Sequence, residues 1–221
     1  MAIEAVIFDF GGVIVPGSPS GDAANSPFTI LERQHGLPSG FLWRAVYIEN
    51  PGWLRLRVGD GSFEEWNAAA HEQITAVSNV ATADAVLDAL EATRPQGKRL
   101  SESAPVFNEG MIPLIKQLRR SYRVGLLSNA APGLEDDLIN HYQIHGLFHD
   151  VINSATVRLA KPDPRIYALA ASRIRVPIES CFFTDDLPHN IEAARAAGMT
   201  AYQFDECTGL RTALEAAGVR L

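Results

Sequence analysis

Residues Ile3-Glu4-Ala5-Val6-Ile7-Phe8-Asp9-Phe10-Gly11-Gly12 decide the fold. The run from Ile3 to Phe8 is apolar, rich in β-branched side chains and short, which suits a buried strand better than a helix. It stops at an acid followed by two glycines, which is turn chemistry. The stretch therefore reads as a buried strand delivering one carboxylate to a glycine loop. Taken alone, Asp9 before Gly11-Gly12 also fits an ordinary turn, so the chemistry has to come from the rest of the chain.

The same pattern recurs downstream. Strands are predicted at Tyr122–Leu127, around Val151-Ile152, at Ser180–Thr184 and at Thr200–Phe204. Helical spacing is predicted at Glu109–Ser121, Leu134–Gln143, Pro164–Ser172, Asn190–Ala197 and Leu210–Ala217, with Gly198 as a C-cap. Short apolar strands alternating with helices imply an α/β fold with a Rossmann-like parallel sheet covered on both faces. Asp9, Ser128-Asn129 and Asp185-Asp186 each follow a strand directly, and Lys161 lies in a loop after a fourth. All then fall at the carboxyl edge of the sheet, where open α/β sheets bind ligands.

Between the first strand and Glu109 the character changes. Residues 28–48, 62–76 and 81–93 have helical spacing with no strand between them, and Trp43, Tyr47, Trp53, Phe63 and Trp66 gather there. Residues 15–27 and 94–107 are rich in Pro, Gly and Ser and read as linkers. The expected organisation is a small helical bundle, a cap, inserted after the first strand.

The 221 residues are 47% hydrophobic and 20% charged, which excludes a wholly disordered chain. Nineteen basic residues against 26 acidic ones give a net charge of -7, unfavourable for a nucleic-acid backbone. No run of 18 apolar residues occurs, so no membrane span is expected. Met1-Ala2-Ile3-Glu4 lacks the basic start of a secretory signal. Cys181 and Cys207 do not make a disulfide framework. A cytoplasmic location is expected.

Asp9, Asp185 and Asp186 make a hard oxygen site, suited to Mg²⁺. Without a His/Cys cluster, structural zinc is not expected. Ser128 adds a hydroxyl, Asn129 an amide and Lys161 a point charge. Cation, lysine and neutral donors around one carboxylate form a clamp for a phosphoryl group. Asp9 is then the candidate nucleophile, through an aspartyl-phosphate that water cleaves. Structural readings stand beside these: Asp163 and Pro164 as a helix start, and Asp185-Asp186 as a cap for the next helix. His141, His145 and His149 recur every fourth residue, but the helix is expected to end near Gly146. Arg44, Arg55, Arg57, Glu65 and His71 are the cap residues considered for substrate contact. The turn Asn50-Pro51-Gly52-Trp53 is considered as a segment dipping to the site, and the tryptophans as cap core.

Four segments together resemble the haloacid dehalogenase-like hydrolase superfamily: Val6-Ile7-Phe8-Asp9-Phe10-Gly11-Gly12-Val13, Leu127-Ser128-Asn129, Lys161-Pro162-Asp163-Pro164-Arg165-Ile166-Tyr167 and Phe183-Thr184-Asp185-Asp186. The stretch Leu187–Met199 matches as well, and the Asp-Phe-Gly-Gly start resembles the branch of sugar-phosphate phosphatases and epoxide hydrolase amino-terminal domains. The resemblance implies a Rossmann-like catalytic core of residues 1–15 and 108–221, with a helical cap of the first class and its linkers at 16–107 inserted after the first motif. It implies Asp9 as nucleophile and metal ligand, Gly11 as a carbonyl ligand, and Asp185 and Asp186 completing an Mg²⁺ site. Ser128 and Lys161 would hold phosphoryl oxygens, with Asn129 beside them. The implied partner is a small phosphorylated metabolite, with monomer or homodimer left open. One departure is that phosphatases of the family usually carry an acid two residues after the nucleophile, where this chain has Gly11. Two other readings remain on the same fold: a 2-haloacid dehalogenase and a non-catalytic binding or scaffold protein.

Overall fold

A computed structural model of the chain describes residues 2–16, 26–91 and 104–221. The stretches read as linkers, 15–27 and 94–107, fall largely outside the described residues. Five strands form one parallel sheet: β1 (Ala5–Phe8), β2 (Arg123–Ser128), β3 (Asp150–Asn153), β4 (Cys181–Asp185) and β5 (Thr200–Gln203). Their spatial order is β3-β2-β1-β4-β5. The chain winds outward on one side of β1 and then crosses to the other, so the winding reverses between β1 and β4. That switch point leaves a crevice beyond the carboxyl ends of these two strands.

The period-2 rule sorts the core into two layers. Val6, Phe8, Val124, Leu126 and Phe182 face one side, with Met111, Leu114 and Ile115 of α6 (Met111–Leu118) and with α7 (Leu134–Asn140) and α11 (Cys207–Ala216). Ala5, Ile7, Leu127 and Phe183 face the other, against α9 (Pro164–Arg173) and α10 (Pro188–Ala196). Every residue of β1 and β4 is buried, as expected for central strands covered on both faces. Tyr167 is fully buried and donates its hydroxyl hydrogen to the Asn190 carbonyl, tying α9 to α10.

The inserted segment has its own hydrophobic cluster, centred on Leu42, Val46, Trp53, Leu56, Trp66, Ile74, Val86 and Leu90. The single helix expected over 28–48 is broken. α1 (Pro27–His35) ends at Gly36, whose left-handed backbone (φ 65°) is a conformation glycine takes without a Cβ penalty. A short turn α2 (Phe41–Trp43) follows, continued by a π-helical turn at Arg44–Ile48. The buried Glu32 carboxylate fixes this break by accepting from the Gly40 and Leu42 N–H groups, each at 2.8 Å. α3 (Pro51–Leu56), α4 (Phe63–Val77) and α5 (Val80–Glu91) complete the segment. A four-residue helix, α8 (Ser154–Val157), follows β3 directly.

α3 was expected as a turn. Asn50 is its N-cap, with Oδ1 accepting from the Trp53 N–H, and Pro51 occupies the first helical position, where a missing N–H costs nothing. Asn50 is fully buried, and its amide donates to the Ala45 and Trp66 carbonyls. The turn thus points into the cap interior and does not dip toward the sheet edge. Trp53 and Trp66 are 8% and 3% exposed and stack 4.8 Å apart, which makes them core. Burying an aromatic of this size is worth about 1.5–3 kcal/mol.

Candidate active site

The glycine loop after β1 turns back on itself. The Ile14 and Val15 N–H groups donate to the Phe10 carbonyl, and the Gly12 N–H donates to Val15. Gly12 adopts φ 83°, and a Cβ there would lie 2.6 Å from Asp186 Cγ. Gly12 therefore combines two requirements, a left-handed backbone and close approach to a carboxylate. Gly12→Ala is expected to displace Asp186 and to cost about 1–3 kcal/mol through backbone strain. Thermal melts with and without Mg²⁺ check this: the variant's Mg²⁺-induced rise should shrink, and an unchanged rise would show that Asp186 does not need the glycine.

The structure brings Asp9, Lys161, Asp185 and Asp186 together. Asp9 follows β1 and donates its backbone N–H to the Thr184 carbonyl, which locks it beside β4. Asp185 ends β4 and Asp186 follows it. Carboxylate oxygens of Asp9, Asp185 and Asp186 lie within 4.8 Å of one another, and all three residues are buried. Lys161 Nζ lies 2.8 Å from Asp9 Oδ1 and 2.6 Å from Asp185 Oδ2, and donates to the Leu127 carbonyl at 3.0 Å. These three bonds use all three ammonium hydrogens. Asp185 also accepts from the Leu187 N–H and from the Asn190 amide.

Asn190 lies in the matched stretch Leu187–Met199 but was given no role by sequence reasoning. It occupies the first turn of α10, where a short polar side chain reaches back toward the preceding strand end. The signal was its spacing of five residues from Asp185. Asp185-Asp186 do not cap α10, whose N-cap is Leu187. Asp163 does cap α9, with Pro164 at its first position. Asn129 clasps the Lys161 backbone: its Oδ1 accepts from the Lys161 N–H and its Nδ2 donates to the Lys161 carbonyl, both at 2.8 Å. Asn129 thereby sets where Lys161 begins, and its amide is spent in doing so. Ser128 is buried at the end of β2, and Gly11 is exposed, bridged to Val15.

Charge is unbalanced here. Three carboxylates against one ammonium leave a formal charge of -2 in a buried site. Burial pushes the Asp9 carboxyl up to about 7; Lys161 pulls it down, and Asp185 and Asp186 push it up. Burial draws Lys161 down, but Asp185 and Asp9 outweigh it and hold the ammonium above its usual range. A divalent cation on the three carboxylates supplies the missing charge, and an all-oxygen donor set fits a hard ion.

The sign of the pH effect follows. Folded Asp9 holds its proton to a higher pH than the unfolded chain does, so in the absence of metal it makes stability fall as pH rises from about 4 to about 7. A cation binds the ionised form and removes that loss. The Mg²⁺-induced rise in melting temperature should therefore be larger at pH 8 than at pH 6. Equal rises at both pH values would rule out protonated Asp9 as the competitor.

The cap meets the core beside this edge. Ala131, just beyond Ser128-Asn129, packs into the cap's hydrophobic cluster. Asp60 pairs with Arg158 at 2.5 Å, and a Cβ on Gly59 would strike the Ala155 carbonyl. Of the cap residues considered for substrate contact, Arg44, Arg55, Glu65 and His71 are paired within the cap, to Glu49, Arg55–Glu65 with each other, and Asp84. Arg57 has no ion pair among the described residues. Its Nε is buried without a partner, and burial lowers its pKa. His141, His145 and His149 form no metal cluster among the described residues. His149 Nδ1 instead accepts from the Val124 N–H. His189 is exposed at the start of α10.

Comparison with known proteins agrees with this architecture. A sequence profile of haloacid dehalogenase-like hydrolases matches residues 3–198. The chain is 29% identical over 206 residues to Phosphatase MT3486 of Mycobacterium tuberculosis, covering 93% of this chain and 88% of that protein. It is 26% identical over 200 residues to Haloacetate dehalogenase H-2 of a Moraxella species, covering 89% and 83%. A solved structure, the HAD family enzyme bt-2542 of Bacteroides thetaiotaomicron in complex with magnesium and inorganic phosphate, superposes with a TM-score of 0.63 at 19% identity, covering 95% of this chain and 99% of the other.

Proposed function

Since the chain belongs to the haloacid dehalogenase-like hydrolase family, we propose that it is a Mg²⁺-dependent phosphatase acting on a small-molecule phosphomonoester through an aspartyl-phosphate at Asp9. The observation that carries this reading is the buried formal charge of -2 left by Asp9, Asp185 and Asp186 against Lys161. A dehalogenase expels halide from an uncharged carbon and needs a free nucleophilic carboxylate, so two further buried acids would be a cost with no return. A phosphatase needs a cation at that place. Phosphatase MT3486 and the magnesium and phosphate bound by bt-2542 support the same choice.

In this reading Asp9, Asp185, Asp186 and the Gly11 carbonyl would hold Mg²⁺, which would offset charge on the phosphoryl oxygens. Asp9, kept ionised and aligned by Lys161, attacks phosphorus as the bond from phosphorus to the substrate oxygen breaks, and water then attacks the aspartyl-phosphate to release orthophosphate and restore the carboxylate. Ser128 donates to a phosphoryl oxygen. Lys161 can do so as well by turning one hydrogen away from Asp9. Asn129 and Asn190 are positioning residues, acting on Lys161 and Asp185 respectively. The core of residues 1–15 and 108–221 would supply the chemistry, and the cap of 16–107 would cover it and limit the access of bulk water.

Gly11 leaves the departing oxygen without a general acid. Such help is typically worth about 10²–10⁴-fold, so rates should depend steeply on leaving-group acidity. Acyl phosphates and aryl phosphates are expected to turn over faster than alkyl phosphates. A Cβ at Gly11 meets nothing within 4 Å, and its φ is not left-handed. The site therefore has room for an acid. Gly11→Asp is expected to accelerate hydrolysis of a sugar 6-phosphate by at least about tenfold, with little effect on an aryl phosphate. Equal effects on both substrates would remove the leaving-group argument. The parent test is phosphate release from sugar 1-phosphates, sugar 6-phosphates, acyl phosphates and an aryl phosphate, with Mg²⁺ or EDTA. Release that survives EDTA, or halide release from 2-haloacids without phosphate release, would overturn the phosphatase reading.

A further inference from the structure

The opposite edge of the sheet holds a second charged feature that the proposed chemistry does not use. A cavity of about 530 Å³ opens at the amino-terminal ends of β1 and β2, lined by Glu4, Arg119, Arg120, Tyr122, Arg123 and Arg175 among others. Arg119 and Arg120 follow the C-terminus of α6, Arg123 opens β2 beside Ala5 of β1, and Arg175 follows the C-terminus of α9. Four arginines and one acid thus line it, in a protein whose net charge is -7.

None of the four arginines makes an ion pair among the described residues. Arg123 Nε donates to the Ile174 carbonyl, and Arg119 Nη1 lies 3.0 Å from His149 Nε2, a neutral partner. The neighbouring imidazole registers the local field: burial, Arg123 and Arg119 all push the His149 pKa down. Guanidinium keeps its proton, so the four charges persist at any working pH and an anion bridging them gains from all four. Arg175 adds a second sign of constraint. It sits at φ 60°, in a helix-ending position that glycine fills at less cost.

We propose that this cavity is a binding site for a small polyanion carrying adjacent phosphoryl groups, such as a diphosphate, distinct from the candidate active site. The depression is open to solvent and wide enough to admit a small anion. Forked guanidinium groups match phosphoryl oxygens in pairs. Four of them around one concavity can grip two phosphoryl groups at once, which a single orthophosphate cannot satisfy. A nucleic-acid backbone is disfavoured by the net charge of -7 on the whole protein.

The test is calorimetric titration of inorganic pyrophosphate into the Asp9→Asn protein in EDTA, which keeps the catalytic edge from turning over or holding metal. One pyrophosphate per chain is expected, weakening as NaCl rises from 20 to 150 mM, by Debye screening of roughly 8–10 Å range. Adding Arg119→Gln and Arg175→Gln should weaken binding at least about tenfold, the loss of charge-assisted pairs. With Asp9 intact, the same two changes should leave the melting temperature and aryl-phosphate turnover unaltered. Arg123 is left in place because it holds Ile174. Pyrophosphate affinity unchanged in the Arg119/Arg175 variant, no binding in the parent, or orthophosphate bound as tightly as pyrophosphate would each overturn the proposal.

Discussion

Asp9→Asn is expected to abolish phosphate release, lowering kcat on the order of 10⁴- to 10⁶-fold, the scale seen when a covalent nucleophile is removed. The amide cannot attack phosphorus and cannot carry the acyl-phosphate bond. Stability should move the other way. Asp9 is buried, and burial with Asp185 and Asp186 pushes its carboxyl up to about 7, so at pH 8 its ionised form is a burden on the metal-free fold. Asparagine fills the same space without that charge. The metal-free variant should therefore melt at or above the parent temperature at pH 8, while activity is lost. Turnover above about 1% of parent would sink Asp9 as nucleophile. A large fall in melting temperature would mean the activity loss came from misfolding.

Lys161→Met is expected to damage both properties. The ammonium is 1% exposed and bridges Asp9 to Asp185, so its removal leaves three buried carboxylates with no cation between them. Breaking one side of a buried ion pair typically costs about 3–5 kcal/mol. The cost should shrink as pH falls toward 5, where Asp9 takes up a proton. Mg²⁺ should recover part of the lost stability because it supplies charge to the same oxygens. Turnover should not return with it. A preorganised donor to charge developing in the transition state is worth about 10²–10³-fold, and methionine offers none. Melting curves at pH 5 and 8, with and without Mg²⁺, together with kcat on an aryl phosphate, check each part. Stability unaffected by the substitution at pH 8 would show that Lys161 does not hold the carboxylates together.

The sheet was legible because a buried strand and its polar end are both written locally. Ile3–Phe8 before Asp9 and Ser180–Thr184 before Asp185 each announce where a strand stops. Lys161 was legible only as a loop residue. Its partners come from β1, β2 and β4, and no spacing along the chain encodes that meeting. The Asn129 clasp was hidden for the same reason, since its two bonds reach 32 residues along the chain. Gly12 was read as half of a turn, whereas its tighter constraint is the carboxylate of Asp186 pressed against it. In the cap, helical spacing located α4 and α5 well. It carried α1 across Gly36-Leu37-Pro38-Ser39-Gly40, where the buried Glu32 rewards a break that apolar periodicity does not see. Asn50-Pro51 was read as a turn because proline interrupts patterns, although asparagine followed by proline is also a helix start.

The glycine loop has one more neighbour. Asn108 donates its backbone N–H to the Ile14 carbonyl at 2.9 Å, and its side-chain amide donates to the carbonyls of Gly12 and Val13. The strands of chain that leave for the inserted segment and return from it are thus sewn together by a single side chain at the doorstep of the core. To the core, everything between these two points amounts to one loop whose ends already touch. Loop closure costs grow only slowly with length, each doubling adding about 0.6 kcal/mol. On the proposed division the core would accept an insert of different size, provided its ends meet at the same spacing, Asn108 is kept, and Ala131 and Arg158 find new partners. The catalytic edge can be inherited unchanged while the covering piece is traded, and a chimera joined at Val15 and Phe107 is where such a trade would be made.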